Sequence, residues 1–172
     1  MFHVERILKS IAYKGITTLL LLFLLLFSCG GLQQRVPISD YVIVPNGKEV
    51  VGNKNLSAFV FENNLKKLPI EQFVSQKFNT NNYSQTEFWI TIDKSKYKIM
   101  IYDKADYDKY FMSYNFAVMN FEPENAKSID QRTFIAISMI NSNNEDCLND
   151  HSLYQNIAVN YLQHLKEEFY NQ

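Results

Sequence analysis

From Glu87 to Tyr102, apolar and polar side chains alternate on both sides of a polar break. Phe88, Ile90 and Ile92 alternate with Trp89, Thr91 and Asp93; Tyr97, Ile99 and Ile101 alternate with Lys98, Met100 and Tyr102. A period of two belongs to an extended strand, whose side chains point to opposite faces in turn. The two runs and the intervening Asp93-Lys94-Ser95-Lys96 predict a β-hairpin, with strands over 87–92 and 97–102.

Four more runs of strand length are rich in β-branched or aromatic residues: 41–44, 56–61, 116–121 and 133–140. Pro69 suits the opening of a helix, where its missing N–H costs nothing, and Ile70, Phe73, Val74 and Phe78 then share a face. A second helix is predicted over 105–114, with Tyr107, Tyr110, Phe111 and Tyr114 as an aromatic stripe. The strongest helical pattern is the last. Ser152 with Gln155 resembles a capping box, and Leu153, Ile157, Tyr161, Leu165 and Phe169 form an apolar stripe that must dock on something. These elements predict an α+β fold: an antiparallel sheet of about six strands covered by helices, with a long C-terminal helix. Their order is compatible with a PsbP-like α/β/α sandwich, by analogy of fold alone.

The chain has 172 residues, 47% hydrophobic and 15% aromatic, enough for the core of one domain, expected over 41–172. Setting aside Arg6, Lys9, Lys14 and Glu5 of the first 28 residues leaves 14 basic and 17 acidic side chains of the 17 and 18 in the full chain. A mildly acidic domain without a basic stripe excludes nucleic acid as an expected partner.

Those three basic residues precede an unbroken apolar run from Leu19 to Phe27, followed by small residues at Ser28, Gly30 and Gly31. This is the order of a secretory signal, and the run is shorter than the roughly 20 residues needed to span a bilayer. Leu26-Phe27-Ser28-Cys29 resembles the lipobox of bacterial lipoproteins. The resemblance implies a signal peptide over 1–28, cleavage before Cys29, and a diacylglyceryl group on the Cys29 thiol that ties the chain to a lipid bilayer. Phe27 departs from the small or β-branched residue usual there. Gly30, where an aspartate would resemble an inner-membrane retention signal, favours the outer membrane, facing the periplasm. Residues 29–40, small, polar and broken by Pro37, read as the lipidated cysteine and a tether.

Candidate chemistry is sparse. Asp103, Asp106 and Asp108 lack the spacing and the glycine of a calcium loop, and read as the first turn of a helix. Asn141 to Asp150 also lacks that glycine and reads as a mobile loop. Cys147 and His151, with His164 further on, fall short of a zinc ligand set, so neither metal nor cofactor is expected. Cys147 reads as a buried small hydrophobe. No nucleophile turn, phosphate loop or dinucleotide fingerprint is present. A possible binding surface is assigned to Trp89, Tyr107, Tyr110 and Tyr114, since such rings combine apolar area with a hydrogen-bonding tip, although packing in a core is their default role. The expected function is a non-enzymatic envelope lipoprotein that binds another envelope protein or a small ligand. The alternatives are an immunity or inhibitor lipoprotein against an exported toxin, and an envelope enzyme without a recognisable motif.

Overall fold

The computed structural model describes residues 35–50, 54–121 and 132–172; the signal segment and Cys29 lie outside the described residues. The elements are β1 Val36–Pro37, β2 Val42–Val44, β3 Glu49–Val50, β4 Lys54–Asn55, β5 Ala58–Glu62, α1 Ile70–Lys77, β6 Glu87–Ile92 and β7 Ser95–Ile101. There follow α2 Lys104–Phe111, a 3-10 turn Met112–Tyr114, β8 Phe116–Ala117, β9 Phe134–Asn141 and α3 Gln155–Tyr170. Among the described residues no helix is long and apolar enough to cross a membrane.

The main sheet has five strands in the order β2-β5-β9-β7-β6, every pair antiparallel. The central strand β9 is buried along its whole length, as a strand covered on both faces must be. On one face Ile135, Ile137 and Met139 pack with Phe59, Phe61 and Ile99 against α1 and α3. On the other, Phe134 and Ala136 pack with Val60 and Tyr102 against Tyr107 and Phe111 of α2. The fold is α+β, with helices on both faces of an antiparallel sheet.

The hairpin forms in the register that the alternation dictates, Phe88 opposite Ile99 and Ile90 opposite Tyr97. Its turn is tighter than the four-residue polar break. Ile92 pairs with Ser95, leaving Asp93 and Lys94 as the turn, at φ 47° and 67°. Two left-handed residues give the turn the twist of the strands it joins.

Several expectations are corrected. The run 116–121 contributes only Phe116–Ala117, which pairs with β1 in parallel and outside the main sheet. The backbone N–H groups of Met119, Asn120 and Phe121 instead donate to the carboxylate of Glu62, which withdraws them from any ladder. The end of the expected tether belongs to the domain, because β1 pairs with β8 and Ile38 is fully buried in the α2-side core. The segment 141–150 is likewise no loose loop. Asn141 Oδ1 accepts from the N–H groups of Asn143 and Glu145, Asp146 accepts from Ser57 N–H at 2.7 Å, and Cys147 and Leu148 are fully buried.

The last helix begins at Gln155 without a side-chain cap, and the Gln155 side-chain amide donates to Leu148 O and Asp150 Oδ1, not to the Ser152 backbone as a capping box requires. Its buried face is Ala158, Leu162, Leu165 and Phe169, whereas Leu153, before the helix, is 94% exposed. A strict four-residue repeat drifts about 40° per step around a helix of about 3.6 residues per turn, so a stripe extrapolated back to Leu153 leaves the buried side. The contrast is testable by urea unfolding. Leu165→Ala removes a core side chain and should cost about 2–5 kcal/mol, while Leu153→Ala should stay within about 0.5 kcal/mol of wild type.

Candidate functional site

The four aromatics assigned to a binding surface part company in the fold. Tyr107 is buried against Phe111, and its phenol is pushed up from its ordinary value by burial and then by Asp108. Tyr110 lies edge-on to Tyr102 with rings 6.0 Å apart, and Tyr114 stacks on Phe116 while its hydroxyl donates to Pro45 O at 2.9 Å. These three tyrosines hold α2 and the 3-10 turn to the sheet. Trp89 is 57% exposed, contrary to the expectation that a sandwich would cover it. Lys98, directly opposite on β7, places Nζ 5.1 Å from the indole centroid and 3.1 Å from Glu87 Oε2. Glu87 and Thr91 flank Trp89 on the same face of edge strand β6, and both are exposed.

The exposure has a geometric cause. A single helix about 10 Å across covers about two strands spaced at about 4.8 Å, so α2 alone cannot cover five. It packs on the side of β5, β9 and Tyr102. On that face Met100 of β7 is covered by Leu56 and Ile140 and the β6 side chains are left open, whereas α1 and α3 together bury Phe88, Ile90, Tyr97 and Ile99 on the other.

The expectations drawn from the sequence did not include the buried charges. Glu62 is 1% exposed at the end of β5, its carboxylate filled by the three successive backbone N–H groups of 119–121 and by the Asn120 amide. Arg132 donates to Tyr102 O at 2.5 Å and pairs with Glu71 of α1 at 2.8 Å. Lys166 on α3 is paired with Asp40, and burial lowers its pKa from the ordinary value, against an upward pull from Glu167. Each ties together chain segments remote in sequence. The one available signal is that Glu62 continues the inward alternation of Ala58 and Val60, where a solvated carboxylate has no place.

A second polar chain runs beside α2. Lys48 N–H donates to Tyr102 Oη, which shares a hydrogen bond of 2.8 Å with Ser138 Oγ, and that hydroxyl donates to Ser57 O. Gly47 makes room for it: a Cβ there would lie 2.3 Å from Tyr102 Oη. Asp103 caps α2 by accepting from Asp106 N–H, Asp106 pairs with Lys48 at 2.5 Å and Asp108 with Lys104 at 2.8 Å, so the acidic trio starts a helix. Among the described residues no group of three His, Cys, Asp or Glu converges as metal ligands. Cys147 is buried, and its thiol is pushed up to about 12 by burial, then by Asp146 and Glu145. His151 and His164 are exposed, the latter 3.7 Å from Glu167.

The fold and surface thus define an antiparallel α+β domain whose buried charged groups, among the described residues, are engaged in holding it together, and whose main sheet leaves one tryptophan facing solvent. Comparisons with protein-family models, with curated proteins and with solved structures find no match for the chain.

The buried thiol and phenols predict alkaline instability. Unfolded, the Cys147 thiol ionises near its ordinary 9.0 and the Tyr161 phenol near 10.0; folded, both are held to about 12, the phenol by burial and then by Glu168. The fold keeps protons that the unfolded chain releases, so this stability is complete below pH 9.0 and is lost as pH climbs toward about 12. Urea unfolding at about pH 8 and about pH 10.5 should differ by on the order of 2 kcal/mol, and Cys147→Ala should reduce the difference. An unchanged midpoint would contradict the burial of the Cys147 thiol and the partial burial of the Tyr161 phenol.

Proposed function

We propose that the protein is a bacterial envelope lipoprotein, anchored through acylated Cys29, whose domain is a non-enzymatic binding module. The observation that carries the anchor is Leu26-Phe27-Ser28-Cys29 behind a basic and then apolar segment. Gly30 after the cysteine favours the outer membrane, facing the periplasm. The binding reading is supported by the division of labour among the described residues. The buried Glu62, Arg132 and Lys166 are engaged in contacts within the chain, the thiol is buried, and the large ring left facing solvent on the sheet is Trp89. Indole surface of that kind contributes strongly to binding when a partner covers it.

The anchor also has a physical rationale. A single acyl chain binds a bilayer marginally, whereas the two or three chains of a lipoprotein hold firmly, at about 0.8 kcal/mol per buried methylene. In bacteria grown with radiolabelled palmitate, wild type should incorporate label and Cys29→Ser should incorporate none, because the other thiol, Cys147, is buried in the domain and has no lipobox-like sequence before it. Label persisting in Cys29→Ser would remove the anchor, and with it the envelope assignment.

A further inference from the structure

We infer that the partner of the open hairpin is a second copy of this chain, joined antiparallel along β6 so that the two sheets become one. The inference deepens the binding reading above and rests on it for the confinement of copies to one membrane.

The two edges of the sheet are unlike. β2 is three residues long and runs into Pro45, the kind of short, proline-flanked edge that resists pairing. β6 is six residues long, pairs with β7 without a bulge, and has neither proline nor lysine. Its register fixes which backbone groups are spare. The turn closes with Ile92 opposite Ser95, and Ile101 N–H donates to Thr86 O, so Phe88, Ile90 and Ile92 bond to β7 while Glu87, Trp89 and Thr91 turn N–H and C=O outward. The Gln85 amide already donates to the Glu87 carbonyl, as that direction requires.

Charge selects the occupant and the register. With a twofold axis at Trp89, Trp89 meets Trp89 and Glu87 meets the partner's Thr91, whose neighbour on β7 is Lys96. The acidic end of each strand thereby lies beside the basic end of the other. Sliding by two residues toward the turn would set Glu87 against the partner's Asp93, a like-charge pair that is unfavourable across strands, and sliding the other way would set Thr91 against Gln85, whose side chain lies on the Glu87 carbonyl. In the favoured register Phe88 and the partner's Ile90 adjoin on the opposite face, extending the α1–α3 core. Pairing of two short edges buries less than a standard interface, so it forms best where anchoring concentrates the copies.

The test uses the full chain in its own membrane. Trp89→Cys places two thiols across the axis at a Cα separation of about 5.5 Å, and mild oxidation should yield covalent dimer, at least about tenfold more than Leu153→Cys, which is exposed but off the β6 edge. In the Trp89→Cys chain, Thr91→Asp sets a carboxylate against the partner's Glu87 and should cut the yield about tenfold, and adding Glu87→Lys should restore it. The purified wild-type chain carries a second readout, because Trp89 is its sole tryptophan: its emission should shift to the blue as concentration rises. Yields equal at residues 89 and 153, or cross-linking of residue 89 only to a different protein, overturn the inference. If palmitate is incorporated but no dimer forms, self-pairing fails and the anchor stands. If dimer forms without label, the anchor fails and self-pairing stands.

Discussion

Everything in the domain leans on β9. Its eight residues are buried, so each side chain must find a partner on one face or the other, and the strands on both sides take their register from it. Toward α1 and α3 it presents Ile135, Ile137 and Met139, large groups that match the aliphatic faces of two helices. Toward α2 it presents Phe134 and then, at its middle, Ala136 and Ser138, and these smaller side chains leave room for the rings of Tyr102 and Phe111. A hydroxyl in such a place is costly without a partner, and Ser138 has two, Tyr102 Oη and Ser57 O. The strand that organises the core therefore also fixes the polar chain that runs to Lys48 and sets the position of the loop before β3.

The buried charges follow a related logic. Buried ion pairs contribute little net stability because desolvation offsets attraction, but breaking one leaves a bare charge in a poor solvent. They therefore specify geometry more than they stabilise it. Glu62 is solvated by backbone N–H groups in place of water, and this holds 119–121 against the end of β5 although those residues make no ladder. Arg132 joins α1 to the end of β7, and Lys166 joins α3 to the residues before β2. Apolar packing permits several neighbouring arrangements of helix on sheet; a guanidinium that must reach both Glu71 and Tyr102 O permits far fewer.

Local periodicity made the hairpin, the first two helices and most of the last legible in the sequence, because strand and helix periods depend only on neighbouring residues. The failures lie where a distant residue decides. Nothing near 116–121 says that Glu62 will take its amides, and nothing near Ile38 says that a pocket beside α2 awaits it. Trp89 departs from the default of core packing for a different reason. The alternation placed it correctly on the face opposite Phe88 and Ile90, but its exposure depends on how many helices reach that face, and one eight-residue helix is too few. The aromatic stripe of α2 was legible as a stripe, while its assignment to a surface failed for Tyr107, which the same helix turns inward.

The uncovered hairpin and the proposed anchor constrain each other. A pair of antiparallel edge strands is related by a twofold axis perpendicular to the sheet, since that is the local symmetry of an antiparallel ladder. Two chains anchored in one bilayer must both direct their tethers to the same side, which requires the axis to lie along the membrane normal. The sheets would then lie parallel to the bilayer with one helical layer facing it. The chain enters the domain at β1, beside β8, with Ile38 in the core on the α2 side. Trp89 lies on that α2 face too, so pairing along β6 would bring two indoles to the centre of one shared face, the part of it that the short helix leaves uncovered.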